Sequence, residues 1–136
     1  MPEYPIRPLP IVDAESAPFW AALREHRYSA QRCHACGTIY LYPRVLCPEC
    51  HSPDVGWVAL GGGGEIYSFT VSRRPAAPGF ASLVPLVVAL IMLDEGPRVM
   101  SNIVRADPEG IRIGARVELE YLDVTEEITL PVFRLA

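Results

Sequence analysis

Four cysteines, Cys33, Cys36, Cys47 and Cys50, stand in two Cys-x-x-Cys pairs and are all the cysteines of the chain. Each pair has the spacing that lets both thiolates point at one metal ion. The ten residues between the pairs suffice for a turn and a short return strand. This is a zinc-ribbon pattern. Four sulfur ligands suit a d10 ion in a tetrahedron and leave no open coordination position. The expectation is one structural Zn2+ per chain that holds the fold and does no chemistry. His34, inside the first pair, competes poorly as a ligand because four thiolates already complete the tetrahedron.

At 136 residues, half of them hydrophobic, the chain has room for one compact domain and a small appendage. A net charge of -4 argues against a phosphate-seeking surface, and all twelve basic residues are arginine, which favours planar bidentate contacts over point-charge attraction. The N-terminus has no basic-then-apolar signal pattern. The longest apolar run, Leu83 to Leu93, is too short for a membrane span and carries Pro85. The expectation is a soluble, cytoplasmic protein in a reducing compartment, where paired cysteines mean metal rather than disulfide.

Residues Pro2 to Val12 hold four prolines and read as an extended arm. A helix follows, with Asp13 or Ser16 as N-cap and Pro18 in its first turn, where a missing N–H costs little. Phe19, Trp20, Leu23 and Arg27 fall on one side of it, and that stripe packs either on its own domain or on another subunit. The arm and helix take residues 1–28 and the ribbon residues 29–56. In the ribbon, Gly37 follows the first cysteine pair and His51 the second, both able to take positive φ, and Arg44 falls in the connecting strand. So small a module draws on metal binding for much of its stability, on the order of 10 kcal/mol.

Residues 57–136 read as a barrel. From Trp57 the periodicity becomes two. Tyr67, Phe69 and Val71 alternate as core residues with Ser68, Thr70 and Ser72, behind a glycine run, Gly61 to Gly64, that suggests a bent strand start or bulge. Leu83 to Leu93 is a nearly continuous apolar strand closed by a turn, with Arg98 to Val104 as its hairpin partner. Asp107 to Gly110 form a turn. Val117, Leu119 and Tyr121 alternate with Glu118 and Glu120 in a fourth strand, and Leu130 to Leu135 make a fifth. Five strands with hairpin spacing predict a mainly β chain ending in a small OB-like barrel.

No catalytic constellation stands out. The thiols are committed to metal, and His26, His34 and His51 have no recognisable acidic partner in sequence. No nucleophile elbow occurs, and the four glycines lack the lysine and hydroxyl residue of a P-loop.

The chain resembles the acyl-CoA-associated OB-fold proteins with an N-terminal rubredoxin-like zinc ribbon. The resemblance runs from about Asp13 to Arg134. It is carried by Phe19-Trp20, by Gln31-Arg32-Cys33-x-x-Cys36-Gly37, and by Pro43-Arg44-x-x-Cys47-Pro48-x-Cys50. Gly64-Glu65-Ile66-Tyr67-Ser68-Phe69-Thr70, Leu93-Asp94-Glu95-Gly96 and Pro131-Val132-Phe133-Arg134 complete it. The resemblance implies a helix, a zinc ribbon and a five-stranded OB barrel. It further implies a non-catalytic accessory subunit of a thiolase-fold enzyme (a thiolase, acyltransferase or aldolase acting on acyl-CoA thioesters) that supports the partner and borders the CoA channel. Phe19 and Trp20 of the helix and an exposed Phe80 in the proline-stiffened loop from Arg73 to Pro85 are the expected partner contacts. Arg73 and Arg74 are the candidates for the CoA phosphates or for a carboxylate on a partner.

Two rivals compete. A single-strand nucleic-acid binder would need a basic groove and exposed aromatics, whereas the barrel after residue 106 is acidic and its first-strand aromatics read as core. An electron carrier would hold iron in the same four thiolates, and its colour would betray it.

Overall fold

The structure is a computed structural model that describes residues 9–75 and 78–136; most of the proline-rich arm lies outside them. Helix α1 spans Ala17–Arg24 with Ser16 as N-cap and Pro18 in the first turn. Ahead of it, the Ser16 amide donates to Asp13 Oδ1 and the Asp13 amide to Ser16 Oγ (2.8 and 3.2 Å). The helix stops at Arg24 because His26 takes a left-handed φ of 56°. The His26 and Arg27 amides turn back onto the carbonyls of Leu23 and Ala22, the Schellman arrangement. Arg27 therefore leaves the helical stripe and is exposed.

The ribbon is an antiparallel sheet of β1 (Ser29–Cys33), β2 (Ile39–Tyr40) and β3 (Val55–Ala59), in the order β2-β1-β3. Trp57, read from sequence as the start of the barrel, lies in β3 and pairs with Gln31. Arg44 lies outside any strand. Its amide donates to Gln31 Oε1 (2.6 Å) and its carbonyl accepts from the Tyr40 hydroxyl (3.0 Å), which satisfies the buried glutamine.

Strands β4 (Gly63–Ser72), β5 (Leu86–Leu93), β6 (Arg98–Ile103), β7 (Arg116–Asp123) and β8 (Thr129–Leu135) close a five-stranded barrel in the order β4-β5-β6-β8-β7. Backbones cross closely at the glycine run. A Cβ on Gly62 would lie 2.9 Å from Leu119 Cβ, and one on Gly64 would lie 2.6 Å from the Met92 carbonyl oxygen. The bulge itself falls later, at Tyr67, where the β4–β5 register shifts between Ile66 and Ser68. That extra residue turns Tyr67 outward, 51% exposed, so Ile66 rather than Tyr67 enters the core. The alternation after the bulge resumes with Phe69 and Val71 inward.

The core gathers Ile66, Ile91, Val117 and Phe133 from the barrel with Leu23 from α1, all under 2% exposed. Tyr28 sits between Phe19 and Phe133, ring centroids 6.3 and 6.4 Å away. The helix is thus built into the protein's own core, packing on β8 and β1, and it is a fixed part of the barrel's end.

Candidate metal centre and its surroundings

The two cysteine pairs sit on two knuckles. In the first, the Cys33 amide donates to the Thr38 carbonyl and the Gly37 amide to the Cys33 carbonyl; in the second, the amides of Cys47 and His51 bond Ser52 and Cys47 in the same way. Gly37 and His51 take φ of 81° and 64°, as the sequence suggested for both. The knuckles bring four Sγ atoms within 4.8 Å of one another. Cys33 and Cys50 approach to 3.5 Å and Cys36 and Cys47 to 3.6 Å. These are far from a disulfide and close to the edge of about 3.8 Å that a tetrahedron of about 2.3 Å zinc–sulfur bonds requires. Backbone amides of Cys36 and Glu49 point at the sulfurs of Cys33 and Cys47 (3.5 and 3.4 Å).

The two exposed thiols, Cys36 and Cys50, differ in how they hold their protons. Hydrogen bonds from Thr38 bring Cys36 down to about 6. For Cys50 the backbone at Ser52 favours the thiolate, but bonds with the other three thiols and burial outweigh it and push the group up to about 12. Four adjacent thiolates need a cation among them, so the donor set fits zinc. His34 stays out of the cluster, its Nδ1 2.9 Å from Asp54 Oδ1.

His34 and His26 both find acidic partners that the sequence did not reveal. His26 Nε2 lies 2.9 Å from Asp123 Oδ1, its ring stacks on Tyr121 at 4.6 Å with planes 4° apart, and Asp123 also accepts from the Thr129 hydroxyl at 2.6 Å. The Thr129 bond first, then His26, holds the Asp123 carboxyl below its ordinary value. This array ties the end of α1 to β7 and β8.

Of the expected partner contacts, Phe19 is 6% exposed and packs inside, so it cannot present its ring to another subunit. Trp20 is half-buried and lines a largely apolar cavity of about 230 Å³ with Leu41, Tyr42, Met100 and Pro131. Phe80 lies in a short 3-10 segment, Pro78–Leu83, and is half-buried, so it is no free tip. Arg73 and Arg74 are exposed. Arg73 stands 3.7 Å from Glu109, and Arg74 makes no ion pair among the described residues. Glu118 and Glu120, which alternate with the apolar residues of β7, are engaged by Arg134 and Arg105. What sequence reasoning missed is the loop before Cys47, where Tyr42, Val45 and Leu46 are 52, 65 and 45% exposed. The signal was an apolar stretch between the cysteine pairs, too short to form a core of its own. No helix among the described residues is long and apolar enough to cross a membrane.

Comparison with known proteins places this geometry. Residues 20–56 match the rubredoxin-like zinc ribbon domain of ChsH2 and residues 57–122 its C-terminal OB-fold domain. The chain is 40% identical over 131 residues to a probable enoyl-CoA hydratase alpha subunit of Thermomonospora curvata, covering 96% of this chain but only 40% of that protein. It is 35% identical to a DUF35 domain-containing scaffold protein of Methanothermobacter thermautotrophicus, covering 76% of this chain and 78% of that one. Among solved structures, a chain of the Ltp2-ChsH2(DUF35) aldolase superposes with a TM-score of 0.83 at 39% identity over 93% of this chain and 98% of that one. A DUF35 protein of unknown function from Sulfolobus solfataricus shares the fold at TM-score 0.64 and 14% identity, over 92% of this chain and 87% of that chain. The chain belongs to the DUF35 family, in its ChsH2-type form of a zinc ribbon joined to an OB-fold barrel.

Proposed function

We propose that this chain is a zinc-stabilised, non-catalytic accessory subunit that assembles with a thiolase-fold enzyme acting on acyl-CoA thioesters. The observation that carries the reading is the superposition, along nearly its whole length, on the ChsH2(DUF35) chain of an aldolase complex. The names of the relatives, scaffold proteins and a hydratase alpha subunit, fit assembly with a larger enzyme. A closed four-sulfur site has no position for substrate or water. Its role is to fix the loop from Tyr42 to Leu46 beside Trp20 on the barrel's end. We assign the partner contact to Trp20 and that loop, with Phe80 at the barrel's opposite connection. Arg74, unpaired among the described residues, is better placed than Arg73 to meet a CoA phosphate.

The nucleic-acid reading loses one of its counterarguments, since Tyr67 is exposed. It still lacks a basic groove: Arg105, Arg116 and Arg134 are all held by carboxylates. The test is a tagged chain expressed at native level, with identification of what co-purifies. Recovery of a thiolase-like subunit, and zinc near one equivalent in a colourless protein, is the expected outcome. Thioester turnover by the isolated chain, or an iron-coloured product, overturns the proposal.

A further inference from the structure

We propose that the outer face of β4-β5-β6 is a self-association surface on which a second copy of this chain docks about a two-fold axis parallel to β5. The register defines this face. Leu86, Val88, Leu90 and Met92 point outward from β5 and are half-buried, alternating with the fully buried Val87, Ala89, Ile91 and Leu93. On one side the stripe is flanked by Ser68, Thr70 and Ser72 of β4, on the other by Arg98, Met100 and Asn102 of β6. Helix α1 packs on β8 and β1 and leaves this face uncovered. Met100 is 61% exposed beside it, and a shallow, largely apolar depression of about 250 Å³ opens on it between Thr70, Val88, Leu90 and Met100. A small antiparallel sheet ordinarily alternates apolar-in with polar-out. A central strand apolar on both faces, rimmed by hydroxyl and charged residues, has the anatomy of an interface.

Charge placement selects the occupant. Glu65, Met92 and Arg98 stand side by side across the three strands. Both charged residues are exposed, and neither makes an ion pair among the described residues. Arg98 rests over the Tyr67 ring at 4.6 Å, while Arg116, Glu65's neighbour on β7, is taken by Asp94. A two-fold axis along β5 lays β4 of one copy over β6 of the other at the same height. Glu65 of each copy then faces Arg98 of its mate, and the two β5 stripes meet between them. Such a contact is isologous and closes as a dimer. An enzyme partner would have no reason to match this internal mirror of charge.

The experiment is sedimentation equilibrium of the zinc-loaded full chain over a wide concentration range. Reversible monomer–dimer behaviour is expected. Leu90→Arg should abolish the dimer. Glu65→Arg and Arg98→Glu should each weaken it at least about tenfold by opposing like charges, and the double exchange should restore most of the loss. The charge variants lie at exposed positions, so they carry the test if Leu90→Arg misfolds, with circular dichroism and zinc content as controls. A chain monomeric at every concentration, a dimer indifferent to these changes, or variants that lose only an enzyme partner would overturn the proposal.

Discussion

If α1 is part of the barrel's core rather than a detachable docking arm, its two large apolar positions must behave differently. Leu23 is 0% exposed and sits in the cluster that includes Phe19, Tyr28, Ile66 and Phe133. Leu23→Ala leaves a void there. The surrounding barrel is closed on itself and cannot collapse around it, so the cost falls in the upper part of the range for buried leucine, about 3–4 kcal/mol. For a domain of this size that is a fall in Tm of roughly 10 °C. Trp20 is half-buried and borders a cavity already present. Removing its side chain exposes little new surface, and Trp20→Ala should cost about 1 kcal/mol. The assay is urea unfolding of zinc-loaded protein followed by far-ultraviolet circular dichroism, with equal m-values required before midpoints are compared. The same proteins are then used to capture the proposed thiolase-like partner. Leu23→Ala should retain capture below its midpoint, whereas Trp20→Ala should lose it. A Leu23→Ala cost below about 1 kcal/mol would refute the claim that the helix is core, because it would mean that α1 lifts off without disturbing the barrel.

Gly64→Ala places a methyl carbon 2.6 Å from the Met92 carbonyl; since that neighbour is backbone, β4 and β5 must part, and a loss of at least about 2 kcal/mol in denaturant unfolding is expected. Cys47→Ser removes one of two fully buried sulfurs; zinc content should fall and hydrogen exchange of the Cys33 and His34 amides should accelerate, while amides of β5 keep their protection. Asp94 accepts a bidentate pair from Arg116 at 2.7 and 2.9 Å, and that hydrogen bonding first of all holds its carboxyl below the ordinary value. A depressed folded-state value contributes stability that is present above the unfolded value of 3.8 and is lost as pH falls through the folded one. Asp94→Asn should therefore flatten the acid limb of a Tm–pH curve below pH 5 and leave the neutral limb parallel to that of the parent.

The cysteine spacing made the ribbon legible because its ligands are local, and the positive φ at Gly37 and His51 followed from the knuckles alone. The five barrel strands were legible because apolar alternation and turn residues are also local signals. What sequence could not carry was the consequence of one inserted residue. The bulge at Tyr67 shifts the parity of β4, so the aromatic that read as core lies outside and Ile66 replaces it. The pairings of His26 with Asp123 and Glu120 with Arg105 span long stretches of chain and leave no periodic trace. Nor could sequence decide which of two adjacent aromatics in α1 is buried. Packing of α1 on β8 and β1 settles it: Phe19 enters the core and half-buried Trp20 borders the cavity.

The position of His26 shows how the helix is held. A left-handed residue at a helix end is usually glycine, because any side chain there carries strain. Histidine at this point forgoes that ease, yet its ring gains the face of Tyr121 and the carboxylate of Asp123. The helix end is thereby fixed to β7 and β8, beside Ser29 of β1 and Trp57 to Ala59 of β3. With the zinc site at the Cys33 end of β1 and this array at the Ser29 end, Trp20 and the Tyr42 to Leu46 loop, the proposed docking surface, sit on a frame with little freedom to lose. Little freedom to lose is what the proposed role in organising another protein requires.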